Sequence, residues 1–189
     1  SGLVPWLFFA NGVSLASASL VNQQHLLTKI YLPRVFVPTA AVVAGAIDLV
    51  IAFVVFLGIM LLYGYVPGWQ VVVLPIVTAF ALMATLGVSL TLSALIVSYR
   101  DFRYVVPFMV QGLMFLGPLV VSVRELDAKW QALIALNPMT GVIEAFRSAV
   151  IGQPWSPVTM GVSGVVSVAL FVFGLYYFRR TERRFADIA

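Results

Sequence analysis

The sequence predicts an all-α integral membrane protein: a polytopic helical bundle of five transmembrane helices, with short external and cytoplasmic interfacial helices. Three observations predict it. The 189 residues are 62% hydrophobic and only 10% charged, and a mean hydropathy of +1.06 exceeds what a water-soluble core of this size needs. Five apolar runs, at residues 3–21, 35–63, 71–97, 105–123 and 158–178, approach or exceed the ~20 residues that a hydrocarbon core about 30 Å thick asks of a helix. The basic residues fall mainly in alternate connections between those runs. Barrel strands would show segments of about ten residues with alternating polarity. These runs are longer and uninterrupted, and a helix satisfies its own backbone in lipid.

Orientation follows from the cations. Lys29, Arg34, Arg100, Arg103, Arg179, Arg180, Arg183 and Arg184 lie in one set of connections, and only Arg124, Lys129 and Arg147 in the other. The positive-inside rule puts the first set in the cytoplasm, so the C-terminus is expected inside and Ser1 outside. An outside start, a first residue that is not Met and a first span without a basic flank point to one further helix upstream, six in the full-length protein. The first run lacks the charged n-region of a signal peptide, and four more runs follow it. The net charge of +4 and pI near 9.7 do not indicate nucleic acid, because the basic residues flank spans and form no soluble face. The chain has no cysteine, hence no disulfide or thiolate metal site.

The elements then follow in order. Residues 22–34, NQQHLLTKIYLPR, place Leu26, Leu27, Ile30 and Tyr31 at helical spacing with Gln23, Gln24, Thr28 and Lys29 between them. This is the pattern of a short interfacial helix ended by Pro33. It reads either as a loop touching headgroups or as a docking helix for a cytoplasmic partner. The second run carries Asp48 near its middle, where translocon scales charge about 2.5–3.5 kcal/mol for a carboxylate. Asp48 is therefore expected to face a polar path or a partner, with Asn11, Ser89, Thr91 and Ser93 as candidate partners. Structural hydrogen bonding and a transport role both stay open.

Residues 63–69, YGYVPGW, form an external turn in which Pro67 and Gly68 supply the geometry. Tyr63, Tyr65 and Trp69 suit the interfacial aromatic belt. In the third run, Gly87, Ala84 and the small residues of 89–94 permit close helix packing. Residues 98–104, SYRDFRY, make the second cytoplasmic connection. Arg100 and Asp101 are adjacent and poorly placed to pair within one helix, which leaves Arg100 to anchor to lipid phosphate or to pair with another subunit. In the external segment 124–157, Leu126, Trp130, Leu133 and Ile134, then Val142, Ile143, Phe146 and Val150, mark two short amphipathic helices broken at Asn137-Pro138. Glu144 and Arg147 stand three apart on the second. These pieces are too short to span; they cap or re-enter the bundle, or lie as an interfacial loop. The tail arginines Arg179, Arg180, Arg183 and Arg184 each gain about 1 kcal/mol near anionic lipid, so membrane anchoring explains them.

Catalytic chemistry is missing. There is no G-x-x-x-x-G-K-[ST] phosphate loop. His25 is the only histidine, and a lone histidine makes no metal site. Glu125 and Asp127 sit on an external loop where solvation is the default. The chain is expected to be a pathway and not an enzyme, with no catalytic, cofactor or metal residues of its own. Its energy would come from another subunit or from an ion gradient.

Three stretches resemble one family, the membrane (permease) subunit of type-2 ABC exporters that move polysaccharides such as O-antigen, capsule and teichoic acid. They are SLVNQQHLLTKIYLPR at 19–34, VSYRDFRYVVPF at 97–108 and LNPMTGVIEAFRSAV at 136–150. The first matches a basic residue before an aromatic, then Pro-Arg; the second an Arg-Asp ahead of the family's fifth helix; the third an Asn-Pro followed by Arg in an external helix. The resemblance runs over essentially the whole chain as one permease domain, 1–189, that begins at the family's second helix. FLGPLVV at 115–121 departs from the pattern: the family usually has Ser before that Pro and an aromatic soon after.

The resemblance implies a half-transporter of a bacterial inner membrane that moves lipid-linked polysaccharide. A second copy of the chain completes the channel, and a separate nucleotide-binding ATPase subunit binds ATP and Mg. His25, Leu26, Lys29, Tyr31 and Arg34 would couple to that ATPase. Tyr99, Arg100 and Asp101 would lie at the inner mouth, where an arginine fork matches a lipid diphosphate. Trp6, Phe8, Phe9, Phe108 and Phe115 are candidates for an aromatic channel wall, and Asn137, Pro138 and Arg147 would belong to external gate helices. Membrane lipids are the remaining partner, and nucleic acid is not one. The nearest alternative is a permease of this fold exporting a drug, a lipid or a lipo-oligosaccharide. Further off stand an ion-coupled carrier centred on Asp48 and a membrane enzyme using lipid-linked sugars.

Overall fold

A computed structural model describes residues 2–23, 33–64, 69–115, 117, 128–152 and 156–185. The elements are α1 (Leu3–Asn22), α2 (Phe36–Leu62), a 3-10 turn (Trp69–Val73), α3 (Leu74–Ser98), α4 (Phe102–Phe115), α5 (Ala128–Ala135), α6 (Pro138–Ile151) and α7 (Pro157–Phe185). No strand occurs among the described residues. Four of the expected runs are helices long and apolar enough to cross a membrane: α1, α2, α3 with its preceding turn, and α7. The chain is a multi-pass helical membrane protein. The described part of the fourth run is α4, whose 14 residues reach about 21 Å at 1.5 Å per residue; residues 116 and 118–123 lie outside the described residues.

Local chemistry sets several boundaries. Pro75 sits at the start of α3, where its missing N–H and fixed φ cost nothing. Gly152 ends α6 in the left-handed conformation at φ 71°. Gly64 does the same after α2 at φ 75°, so the turn there opens on Gly64; Tyr65, Pro67 and Gly68 lie outside the described residues. α7 does not stop with its apolar run. Its 29 residues extend about 44 Å, so the helix carries the arginine-rich stretch beyond the hydrocarbon.

The bundle is organised around α3, which packs most extensively on α7 and also meets α1, α2 and α6. Small residues set the approach. A Cβ on Gly87 would lie 2.6 Å from Phe171 N, and one on Gly174 would strike the carbonyl of Gly87. This is the close packing expected at Gly87, now with its partner residue. α1 lies against α3 through Gly12, where a Cβ would come 2.7 Å from Thr85 Cγ2. Nearby, the buried Ser93 Oγ donates to Ala16 O at 2.9 Å. α2, by contrast, buries only Pro38, Val42 and Leu49 and leaves Val43, Ile47, Val50, Ile51, Val54 and Val55 exposed. In a bilayer that exposure is solvation by lipid tails and carries no hydrophobic penalty.

Two satellite clusters mark the ends of the bundle. Leu20, Leu90, Ala94 and Phe178, with Val35 and Val97 against them, gather the end of α1, the start of α2 and the ends of α3 and α7. This is the basic end, bearing Arg34, Arg100, Arg103, Arg179 and Arg180. Leu74, Phe146, Ala149 and Val150, with Val4, Phe53 and Met60, close the opposite end.

Candidate functional site

At the basic end, the chain enters α2 through Pro33, Arg34 and Val35. Phe36 N donates to Pro33 O at 3.0 Å and Val37 N to Arg34 O at 3.3 Å, so the first turn starts at Pro33. The Arg34 N–H lies outside these two bonds and donates instead to Glu182 Oε1 of α7 at 3.2 Å. Arg34, the last residue of the expected docking stretch, is thus placed at a junction of two helices. His25, Leu26, Lys29 and Tyr31 lie outside the described residues.

The turn between α3 and α4 holds Tyr99, Arg100 and Asp101, all exposed at the same end. Tyr99 N donates to Leu95 O at 2.7 Å and closes α3, while Phe102 N and Tyr104 N bond back to Tyr99 O and Asp101 O at 3.1 Å each. The tight backbone holds the three side chains outward as a group. The Tyr99 ring tilts over Phe102 at 6.3 Å between centroids.

The opposite end is built on the corner between α5 and α6. Asn137 Oδ1 accepts from Met139 N at 3.0 Å, the N-cap arrangement that satisfies an orphan amide of a helix start; Pro138 follows at the first position. Asn137 Nδ2 reaches Leu113 O of α4 at 3.3 Å. Thr140 Oγ1 donates to Ile134 O at 2.6 Å. Ser163 of α7 accepts from Gly141 N at 3.0 Å and lies 3.2 Å from Ala135 O. α6 itself is largely buried, from Asn137 to Ile143 and again at Ala145, Phe146 and 148–150, while Arg147 is half-buried. α6 packs on α7, α3 and α1, so this part of the segment lies against the bundle. Gly117, from the departing stretch, is buried beside this corner; a Cβ there would lie 3.2 Å from Leu113 O and 3.5 Å from Asn137 Nδ2.

Asp48 does not meet the partners expected of it. It is exposed on α2, whereas Ser93 bonds to Ala16 O, Thr91 to Gly87 O of its own helix, and Ser89 is buried in the bundle. Asn11 is itself exposed on α1. Sequence could place the carboxylate at mid-span but not choose its face. The aromatic candidates divide in the same way. Trp6, Phe8 and Phe9 are 3%, 6% and 1% exposed and pack in the subunit's own core; Phe108 and Phe115, 76% and 64% exposed, stand on the open face of α4.

Sequence reasoning missed Glu182, Ser163 and Gly174 as structural partners. Glu182 did carry a signal: it is the one acid in RRTERR, residues 179–184, a place where lipid anchoring alone asks only for cations.

Residues 2–151 match the ABC-2 type transporter family, and the chain belongs to that family. Three relatives are named O-antigen export system permease protein RfbA. One, from Myxococcus xanthus, is 28% identical over 149 residues, 78% of this chain and 57% of that protein. Two from Klebsiella pneumoniae are 23% and 22% identical over 192 residues, 100% of this chain and 73% of each relative. The match to the Myxococcus protein thus covers little more than half of that relative's length.

Proposed function

We propose that this chain is the membrane-spanning subunit of an ATP-driven exporter of lipid-linked polysaccharide in a bacterial inner membrane. It works with a second copy of itself and with a nucleotide-binding ATPase, and its C-terminus is cytoplasmic. The observation that carries the reading is the family match across residues 2–151, joined to relatives named for O-antigen export along the full chain.

The geometry supports a division of labour. ATP and Mg belong to the partner subunit, which supplies the energy. His25, Leu26, Lys29, Tyr31 and Arg34 receive its movement, and of these Arg34 stands at the basic end. Tyr99, Arg100 and Asp101, exposed together beside that end, meet the anionic headgroup of the cargo, with the Arg100 fork bonding phosphate oxygens. Phe108 and Phe115 offer ring faces on which a sugar chain slides, facing the second copy across the path. The buried corner at Asn137 and Pro138, with Arg147 on α6, gates the far end. Asp48 faces a polar path or a partner helix, because a carboxylate left to lipid at mid-span costs about 2.5–3.5 kcal/mol.

The test is co-purification of the full-length protein from its host, followed by reconstitution. A nucleotide-binding ATPase is expected to remain bound, and transport is expected to stop without ATP. Transport at full rate with no ATPase present, driven by a proton gradient, refutes the reading.

A further inference from the structure

We infer that Glu182 is a positioning residue that ties α7 to the first turn of α2, so that displacement of Arg34 is delivered to the α3–α7 pair. The inference rests on the exporter reading for the origin of that displacement. Three observations carry it. First, α2 has no local cap: its N-cap is Val35, with no side-chain hydrogen bond, and Pro33, Arg34 and Val35 offer no Ser, Thr, Asp or Asn. The first amide of the turn is satisfied by Glu182 Oε1, 148 residues away, at 3.2 Å. A carboxylate at a helix N-terminus also gains from the helix dipole.

Second, Gly174, Phe178 and Glu182 are spaced i, i+4 and i+8, one stripe along α7. Gly174 meets the Gly87 backbone, Phe178 is 0% exposed and packs with Leu20, Leu90 and Ala94, and Glu182 holds Arg34. The stripe that locks α7 to α3 continues without a break into the bond to α2. Third, Glu182 is half-buried while Arg179 and Arg180 are exposed, so this acid turns inward where those two cations face out. Movement at residues 33–35 therefore reaches α7 through the charge-assisted bond from Arg34 N to Glu182 and passes to α3 through the close backbone contact of Gly174 with Gly87.

The experiment is hydrogen–deuterium exchange on the full-length permease bound to its ATPase in nanodiscs, with and without ATP plus vanadate. In Glu182→Ala, exchange at the Arg34 amide is expected to rise roughly tenfold, the scale of one lost hydrogen bond to a charged group. In Glu182→Gln, which keeps a carbonyl acceptor, it is expected to stay near the unsubstituted rate. The nucleotide-driven change in exchange over residues 176–185 should be present in the unsubstituted complex and in Glu182→Gln. It should be lost in Glu182→Ala while ATP hydrolysis continues. Glu182→Asp, which keeps the charge and shortens the reach, is expected to behave like Glu182→Ala and takes its place if that variant does not fold. Unchanged Arg34 exchange in both, or a nucleotide response in α7 that survives them, overturns the inference. Normal Arg34 protection with no nucleotide response and no bound ATPase in the unsubstituted protein overturns the exporter reading, and with it the transmission, leaving a static bond.

Discussion

Gly87 and Gly174 bring the main chains of α3 and α7 into contact, with no side chain between them at the crossing. In lipid the tails solvate apolar side chains as well as a neighbouring helix does, so association depends on close fit and small residues. Among the described residues, the most extensive helix–helix packing is built on this pair.

Gly87→Ala and Gly174→Ala are each expected to destabilise the protein by about 1–3 kcal/mol, the range for overpacking a close-fitted interior. At Gly58 of α2, an added Cβ would meet nothing within 4 Å, so Gly58→Ala is expected to be neutral or stabilising by about 0.4–1 kcal/mol. Thermal unfolding of the three purified variants in detergent measures this. Equal melting of Gly87→Ala and Gly58→Ala would contradict the crossing.

Asn137 does two things, and two substitutions separate them. Asn137→Ala removes both the cap on Met139 N and the bond to Leu113 O, at a cost of about 1–2 kcal/mol for the cap alone. Asn137→Asp keeps the capping oxygen and loses the donor toward α4. It is expected to unfold between Asn137→Ala and the parent, and melting no higher than Asn137→Ala would show that the cap contributes little.

Asp48 is exposed on a helix that buries little else, so Asp48→Leu should leave the unfolding of the isolated subunit within about 0.5 kcal/mol of the parent. Export by the assembled transporter should fall. Undiminished export by Asp48→Leu and Asp48→Asn would remove any role for the carboxylate in the path or at a partner.

Arg34→Glu keeps the backbone N–H that Glu182 accepts but reverses the charge beside it. Insertion and ATP hydrolysis are expected to persist while export drops roughly tenfold or more, since like charges brought together at an interface cost several kcal/mol. Hydrolysis and export measured on the same reconstituted sample decide it: parallel values for both would exclude Arg34 from coupling.

The sequence by itself determined the architecture. Continuous apolar runs can only be satisfied as helices in lipid, and a Pro, a capping Asn and a Gly mark the ends of α6. These are local signals, and no long-range contact is needed to read them. Which face of each helix turns inward was decided only by the tertiary structure. A soluble helix advertises its inside by a polar outside, but here both faces are apolar. α2 and α3 therefore look alike in sequence while one is largely open and the other largely enclosed. For that reason sequence could assign Asp48 and the phenylalanines a depth but not a side, and Glu182 gained its meaning only when the fold brought Arg34, 148 residues earlier, beside it.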